Sequence, residues 1–195
     1  MLKLNYKDTS DICVGIDEAG RGCMIGPVFA AAVIWDNSKI PTGIKDSKKI
    51  SRKNRHIVRK YIEDNSIAYG VGYASHIEIE DINIKNATYL AMHRALSELN
   101  DTPFDRILVD GNGFEPYMCN LHDCIIGGDN IYVNIAAASV LAKEYHDDWI
   151  KENFETDSRY DLMNNKGYGT RKHLDGILRY GLSSFHRRSF CLKYI

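Results

Sequence analysis

Two adjacent carboxylates, Asp17 and Glu18, close an apolar run from Ile12 to Ile16 and open onto Gly20-Arg21-Gly22. Adjacent like charges repel unless a cation screens them, and the simplest cation for oxygen donors is a hard divalent metal ion. Glycines on both sides of Arg21 bare the main chain, so its N–H and C=O groups can come within hydrogen-bond range of a polyanion that carries hydroxyls. Taken alone, Asp-Glu ahead of a glycine turn is more often a solvated turn or a helix cap. Two further acids share the setting. Asp110 ends the apolar run Arg106 to Val109 just before Gly111, and Asp129 follows a short run, Cys124 to Ile126, and Gly127-Gly128. Ligands of open α/β sheets collect at strand ends, so Asp17, Glu18, Asp110 and Asp129 are expected to meet in one pocket that holds cations, although Asp-Gly is also common turn chemistry.

Such a pocket needs strands to carry it. Ile12 to Ile16 and Val28 to Trp35 read as antiparallel neighbours separated by Gly26-Pro27, and Ile67 to Ala74 as a third strand. Between them Ser51 caps a helix over Arg52 to Asp64, with Ile57, Val58, Tyr61 and Ile62 on one stripe. A second helical stretch has a short segment around Glu78 to Ile82 and a longer one from Asn86 to Leu99, whose Ala87, Leu90, Ala91, Ala95 and Leu99 are core by spacing. Arg106 to Val109 and Cys124 to Ile126 complete five strands, and Ile135 to Asn153 forms a helix whose Ala136-Ala137-Ala138 permits close packing on the sheet. The order implies an α/β fold with a mixed five-stranded sheet flanked by helices. One continuous domain is expected, a body over 1–156 with a C-terminal helical extension over 157–195.

The chain has 195 residues, 44% apolar and 26% charged, which suits a single soluble globular core. No apolar run approaches the ~18 residues of a membrane span, and the polar opening lacks a secretory core, so a cytoplasmic protein is expected. Five cysteines without a CxxC pair argue against a disulfide framework, and Cys119 and Cys124 around His122 make a weak zinc motif. Net charge is −1, but from Lys166 onward there are seven Lys or Arg and one acid, so the tail carries about +6 and the rest about −7. An acidic cleft for cations beside a basic arm for phosphates is what a metal-dependent nuclease requires; a solvated basic helix on an acidic body is the plainer alternative.

The motifs Gly15-Ile16-Asp17-Glu18-Ala19-Gly20-Arg21-Gly22 with Gly26-Pro27, Asp46-Ser47-Lys48-Lys49, Val109-Asp110-Gly111, Gly128-Asp129, Ile135 to Lys143, Lys166-Gly167-Tyr168-Gly169-Thr170 and His186-Arg187-Arg188-Ser189-Phe190 resemble, in order, those of ribonuclease HII. The resemblance implies an RNase H-like fold. It also implies Mn²⁺ or Mg²⁺ at a two-metal site, and endonucleolytic cleavage of RNA in RNA·DNA hybrids and at ribonucleotides embedded in DNA. By the same resemblance Asp17, Glu18, Asp110 and Asp129 are the catalytic, metal-binding acids. Gly20, Arg21, Gly22 and Tyr168 would read the ribonucleotide 2′-OH and the adjoining sugar. Lys48, Lys143 and Arg187 are expected to contact backbone phosphates, with bracing of the helix an equal reading for Lys143. Asp147, two turns along a helix, is expected to form a salt bridge rather than to serve as the fourth ligand. His146 stands where the family usually has Arg, and Gly127 where it often has Lys.

Two rivals remain at this stage. Ribonuclease HIII shares the fold but carries an extra N-terminal domain, whereas about ten residues precede the first strand here. A catalytically inert hybrid-binding module would gain by shedding negative charge near phosphates, and all four acids are present. Protein partners are not legible, and a monomer is expected.

Overall fold

A computed structural model describes residues 2–7, 10–45, 50–118 and 121–194. Strands β1 (Cys13–Ala19), β2 (Val28–Trp35) and β3 (Ser66–Ala74) pair antiparallel. β4 (Arg106–Asp110) and β5 (Leu121–Ile125) join in parallel on the far side of β1, giving the order β3-β2-β1-β4-β5. Helices α1 (Arg52–Asn65), α2 (His76–Ser97) and α3 (Val133–Phe154) flank this sheet, as the alternation of strand and helix signals requires. Among the described residues no helix is long and apolar enough to cross a membrane.

Side-chain alternation sorts each strand between two cores. Val14 and Ile16 of β1, with Ile107 and Val109 of β4, pack under Ala87, Ala91, Ala95 and Leu96 of α2. On the opposite face Ala31 and Val33 of β2 meet Val58 and Ile62 of α1 and Ala137, Val140 and Leu141 of α3. All eight residues of β2 are buried, so this strand is covered on both sides. A third cluster joins α3 to the C-terminal segment, where α4 (Leu162–Asn165), α5 (Arg171–Tyr180) and α6 (Arg188–Cys191) pack through Leu162, Ile177 and Cys191 against Met24, Ile25, Ile150 and Phe154.

Two elements, β1 and β5, differ from the sequence reading. β1 continues through the acid pair to Ala19, because β2 pairs with it as far as Ala19↔Phe29, and backbone ladders are indifferent to the charge on the side chains. β5 begins at Leu121, three residues earlier than expected. It is an edge strand with partly exposed side chains, and such strands lack a strong apolar signal. The two helical segments expected before β4 are both present in α2, separated by a break at Asn83, whose φ is 65° and whose Oδ1 accepts from the N–H groups of Lys85 and Asn86, capping the second segment. Ser75 and Glu78 form a capping box at the start of the first.

Gly15 fixes how closely α3 lies on the sheet. A Cβ at this position would stand 2.3 Å from the Asn134 carbonyl carbon and 2.4 Å from the Ile135 nitrogen, both backbone atoms that cannot swing aside. Gly15→Ala is therefore expected to destabilise the fold by about 1–3 kcal/mol, the usual range for overpacking, as read from urea unfolding midpoints. An unchanged midpoint would mean that α3 slides freely on β1.

Candidate active site

Parallel pairing brings Ile16 of β1 beside Val109 of β4, so the next residues in each strand, Asp17 and Asp110, lie side by side at the same sheet edge. Both fall on the α3 face, since Val14, Ile16, Ile107 and Val109 occupy the other. A short 3-10 turn, Gly128–Asn130, enters α3 from β5 and supplies Asp129. Asp17, Asp110 and Asp129 each present an oxygen, and these oxygens lie within 4.8 Å of one another. Oxygens sharing one hard divalent ion at about 2.0–2.6 Å lie at most about 4–5 Å apart, so the trio has the donor type and spacing to hold such an ion.

Hydrogen bonds orient each carboxylate. Asp17 Oδ1 accepts from the Glu18 N–H at 2.7 Å, and the Ser139 hydroxyl also reaches Asp17 from α3. Asp110 Oδ1 accepts from the Gly128 N–H at 2.7 Å, which ties the turn to β4. Asp129 Oδ1 accepts from Asn130 Nδ2 at 2.7 Å. Asp17 and Asp129 are 7% and 4% exposed. Burial, then the charges of Glu18 and Asp110, hold the Asp17 carboxyl well above its ordinary range despite the Ser139 and backbone bonds.

Glu18 is the exception to the expected quartet. One residue on from Asp17, it projects from the opposite face and is not in the close trio. It lines a cleft with Arg21, Tyr89, Asp110 and Gly111 and makes a 3.4 Å ion pair with Arg21 Nη1. All four acids are expected in one pocket; side-chain alternation in a strand that continues through the pair leaves Glu18 outside the close trio, in the cleft it shares with Asp110. Burial raises the Glu18 carboxyl above its usual value, although Arg21 opposes that rise.

The Gly20-Arg21-Gly22 loop follows β1 directly. Gly20 has φ +83°, and a Cβ there would stand 2.5 Å from His146 Cδ2, so this backbone passes directly over the His146 ring. At Gly22 a Cβ would lie 3.6 Å from the Tyr168 ring, which places loop and tyrosine at one spot. Tyr168 is half-exposed, and burial first, then the nearby Cys23, pushes its phenol up to about 12. Lys143 bonds Asp147 Oδ1 at 2.8 Å with its Nζ 5.8 Å from the Tyr168 ring centre, the bracing geometry for α3.

Asp147 is an ion-pair residue, as expected. Arg55 Nη2 lies 3.0 Å from its Oδ2 and Arg55 Nε 2.6 Å from Glu144 Oε1, all three being buried. Burial pushes the Asp147 carboxyl up, but bonding from His146 and the Lys143 charge outweigh it and hold it at about 2. His146 is fully buried, with Nδ1 3.2 Å from Asp147 Oδ1, and Gly127 adopts φ 68° at the turn into Asp129.

Arg187 is not at the surface. It is fully buried, donating from Nε to the Gly26 carbonyl at 2.8 Å and from Nη1 to the Arg21 carbonyl at 3.1 Å. The expected phosphate contact is replaced by a clamp on the glycine loop, because those main-chain oxygens face inward and need a donor. Lys48 lies outside the described residues, as do the rest of Asp46-Ser47-Lys48-Lys49 and Cys119. Sequence reading missed Arg55, although its spacing of three and seven from Val58 and Ile62 places it on the buried stripe of α1. It also missed a buried pair, His173 and His186, which no spacing signals.

A family model described as Ribonuclease HII matches residues 14–193. The chain is 48% identical over 189 residues to Ribonuclease HII of Christiangramia forsetii, covering 97% of this chain and 95% of that protein. It is 44% identical over 191 residues to Ribonuclease HII of Parabacteroides distasonis, covering 98% and 96%. Among solved structures, ribonuclease H2 from Pyrococcus horikoshii shares the fold with a TM-score of 0.76 at 22% identity, covering 93% of this chain and 96% of that one. The PCNA:RNase HII complex from Archaeoglobus fulgidus gives 0.71 at 23%, covering 90% and 93%. Bst-RNase HIII in complex with Mn²⁺ gives 0.66 at 18%, covering 87% of this chain but 62% of that one.

The raised Asp17 carboxyl has a sign. A group that binds its proton more tightly when folded supports the fold at low pH, and that support is lost as pH rises through the folded-state value. In EDTA the thermal midpoint of the wild type is expected to fall as pH rises above the ordinary carboxylate range. Asp17→Asn, which cannot ionise, should reduce that fall and have the higher midpoint at pH 8. A lower midpoint for the variant in scanning fluorimetry would contradict the crowding.

Proposed function

The chain belongs to the ribonuclease HII family, and from that premise we propose that it nicks duplex DNA on the 5′ side of embedded ribonucleotides, leaving 5′-phosphate and 3′-hydroxyl ends. The enzyme is a ribonuclease H, an endonuclease acting on the RNA of RNA·DNA hybrids. The observation that carries the finer reading is the trio Asp17, Asp110 and Asp129 beside the bared loop Gly20-Arg21-Gly22 and Tyr168.

The trio is a donor set of oxygen alone, which suits Mg²⁺ or Mn²⁺. Glu18 stands close enough to Asp110 for their charges to interact, and we assign it to the rim of the same site, as a further ligand reached by a change of rotamer. Two divalent cations held by these acids would supply a water activated near neutral pH and charge neutralisation at the leaving 3′-oxygen. The Mn²⁺ in the HIII neighbour supports the choice of metal.

The residues of the chain itself then do four things. Asp17, Asp110 and Asp129, fixed by Glu18 N–H, Gly128 N–H and Asn130, hold their oxygens in place before substrate arrives. The main chain of Gly20 to Gly22 approaches the ribose, whose 2′-OH both donates and accepts a hydrogen bond and is the one group that marks RNA. Tyr168, beside Gly22, stacks on the sugar of the following deoxynucleotide, where a second 2′-OH would be in the way. Basic residues of the tail that stay exposed, Arg171, Lys172 and Arg188, follow the phosphates. We place the enzyme in the cytoplasm as a monomer, with the C-terminal extension contributing Tyr168 to the substrate surface. The HIII reading is disfavoured by the HII family match and by near-full coverage of HII relatives. An inert binder is disfavoured by the intact trio.

A DNA duplex with one ribonucleotide is expected to be nicked 5′ to it in Mn²⁺ or Mg²⁺, with EDTA stopping the reaction. Asp17→Asn or Asp110→Asn should lower turnover by at least about 10³-fold with the circular dichroism spectrum unchanged, on the order of one lost electrostatic contact to the transition state. Binding without cleavage in either metal would favour the inert module. In the same gel assay Tyr168→Ala should depress junction nicking far more than metal affinity measured by calorimetry, and equal losses would remove the role given to the ring.

A further inference from the structure

His186 and Arg187 sit in an extended stretch that bridges the loop after β1. His186 pairs with Ile25, the Arg187 N–H donates to the Met24 carbonyl at 2.8 Å, and the Met24 N–H donates to the Gly167 carbonyl at 2.8 Å. Arg187 clamps the Arg21 and Gly26 carbonyls on one side. On the other, His186 Nε2 lies 3.0 Å from His173 Nε2, and His173 Nδ1 lies 3.0 Å from the Tyr168 carbonyl. His186 Nδ1 receives the Ser183 backbone N–H at 2.9 Å, and the Ser183 hydroxyl lies 2.9 Å from the same nitrogen. Both rings are buried under Tyr160, whose ring centre is 4.8 Å from His186 and 5.9 Å from His173.

The ends of this row are backbone groups of fixed polarity, so the protons inside it have one consistent arrangement. The Ser183 N–H can only donate, which leaves His186 Nδ1 bare and puts the His186 proton on Nε2. That proton points at His173 Nε2, which must be bare in turn. The His173 proton is then on Nδ1, where it meets the Tyr168 carbonyl, a group that can only accept. A second proton on His173 sets donor against donor between the rings, and one on His186 Nδ1 sets donor against the Ser183 N–H and leaves only the Ser183 hydroxyl to accept it. The charged groups that reach the pair are Arg159 and Asp157, themselves ion-paired at 2.8 Å.

We propose that the His186-Arg187 dipeptide, touching no substrate itself, positions both halves of the junction reader: Arg187 holds the Arg21 carbonyl, and a neutral His186–His173 relay holds the Tyr168 carbonyl. This rests on the reading of Gly20 to Gly22 and Tyr168 given above. Burial first, then the repulsion that a second protonated ring at His173 would exert and the Arg159 charge, drive the His186 imidazole down to about 4, in keeping with a ring that stays neutral. A depressed imidazole supports the fold above its ordinary value of 6.5 and loses that support as pH falls toward about 4.

Long-range proton–nitrogen NMR of ¹⁵N-histidine-labelled enzyme at pH 7.5, assigned with His173→Asn and His186→Gln, reads the relay directly. His186 should be the neutral Nε2–H tautomer and His173 the less common Nδ1–H tautomer. A charged ring, or Nε2–H on both, overturns the relay. For its purpose, His173→Phe keeps a ring but loses the donor to Tyr168. It should cut kcat on a single-ribonucleotide duplex about tenfold, as for one hydrogen bond, with KM and cleavage of a continuous hybrid changed less than about twofold. His173→Asn, which retains an N–H near the Nδ1 position, should restore most of the loss. Equal losses on both substrates, or no rescue by Asn, would make the pair merely structural and overturn the proposal. Tyr168→Ala run alongside separates the two levels: if it shows no selective loss at the junction, the reader assignment fails, whatever the tautomers are.

Discussion

Parallel pairing of β1 with β4 forces Asp17 and Asp110 into adjacent positions on one face of a sheet edge, where water is scarce and like charge is unfavourable. Much of the surrounding structure follows from that constraint. The 3-10 turn is tied to Asp110 through Gly128, Ser139 on α3 reaches Asp17, and α3 comes near enough to do so because β1 has no side chain at Gly15. A cation relieves the repulsion, so the same crowding that weakens the bare fold becomes affinity for metal. The site is an example of local strain retained where the chemistry needs it.

A second arrangement of buried charge lies behind the first. Arg55 from α1 reaches Glu144 and Asp147 on α3, and Lys143 shares Asp147 while its amine lies near the Tyr168 ring. Four buried or half-buried charges in mutual contact gain little net stability over apolar packing, but removing one strands the others. Their value here is directional. They tie α1 to α3, the helix that carries Ser139 to Asp17 and His146 to Gly20.

The sequence made Asp17, Asp110 and Asp129 legible as a group because each adjoins a glycine turn at the end of an apolar run, and the fold brings the three together. The sheet was readable to the extent that its strands are apolar. β5, polar and exposed at the edge, was only half visible, whereas the break at Asn83 showed as a gap in the helical spacing. The divergence of Glu18 from Asp17 was hidden by one question that composition does not answer, namely how far β1 continues. Arg187, His173 and His186 were misread or passed over for a different reason. A cation or an imidazole in a basic tail looks solvated, and only the tertiary position of unpaired main-chain oxygens turns it into a buried donor.

The clamp by Arg187 also has an order in time. Its bonds to Gly26 and Arg21 span 161 and 166 residues, while the pairing of Cys13 with Arg106 closes a much shorter loop. During synthesis the acids can assemble once the segment through α3 has left the ribosome, but the glycine loop is fastened only after nearly all the remaining chain has emerged. A chain clipped in its last ten residues would thus keep the cluster of acids and lose the fastening of the glycine loop.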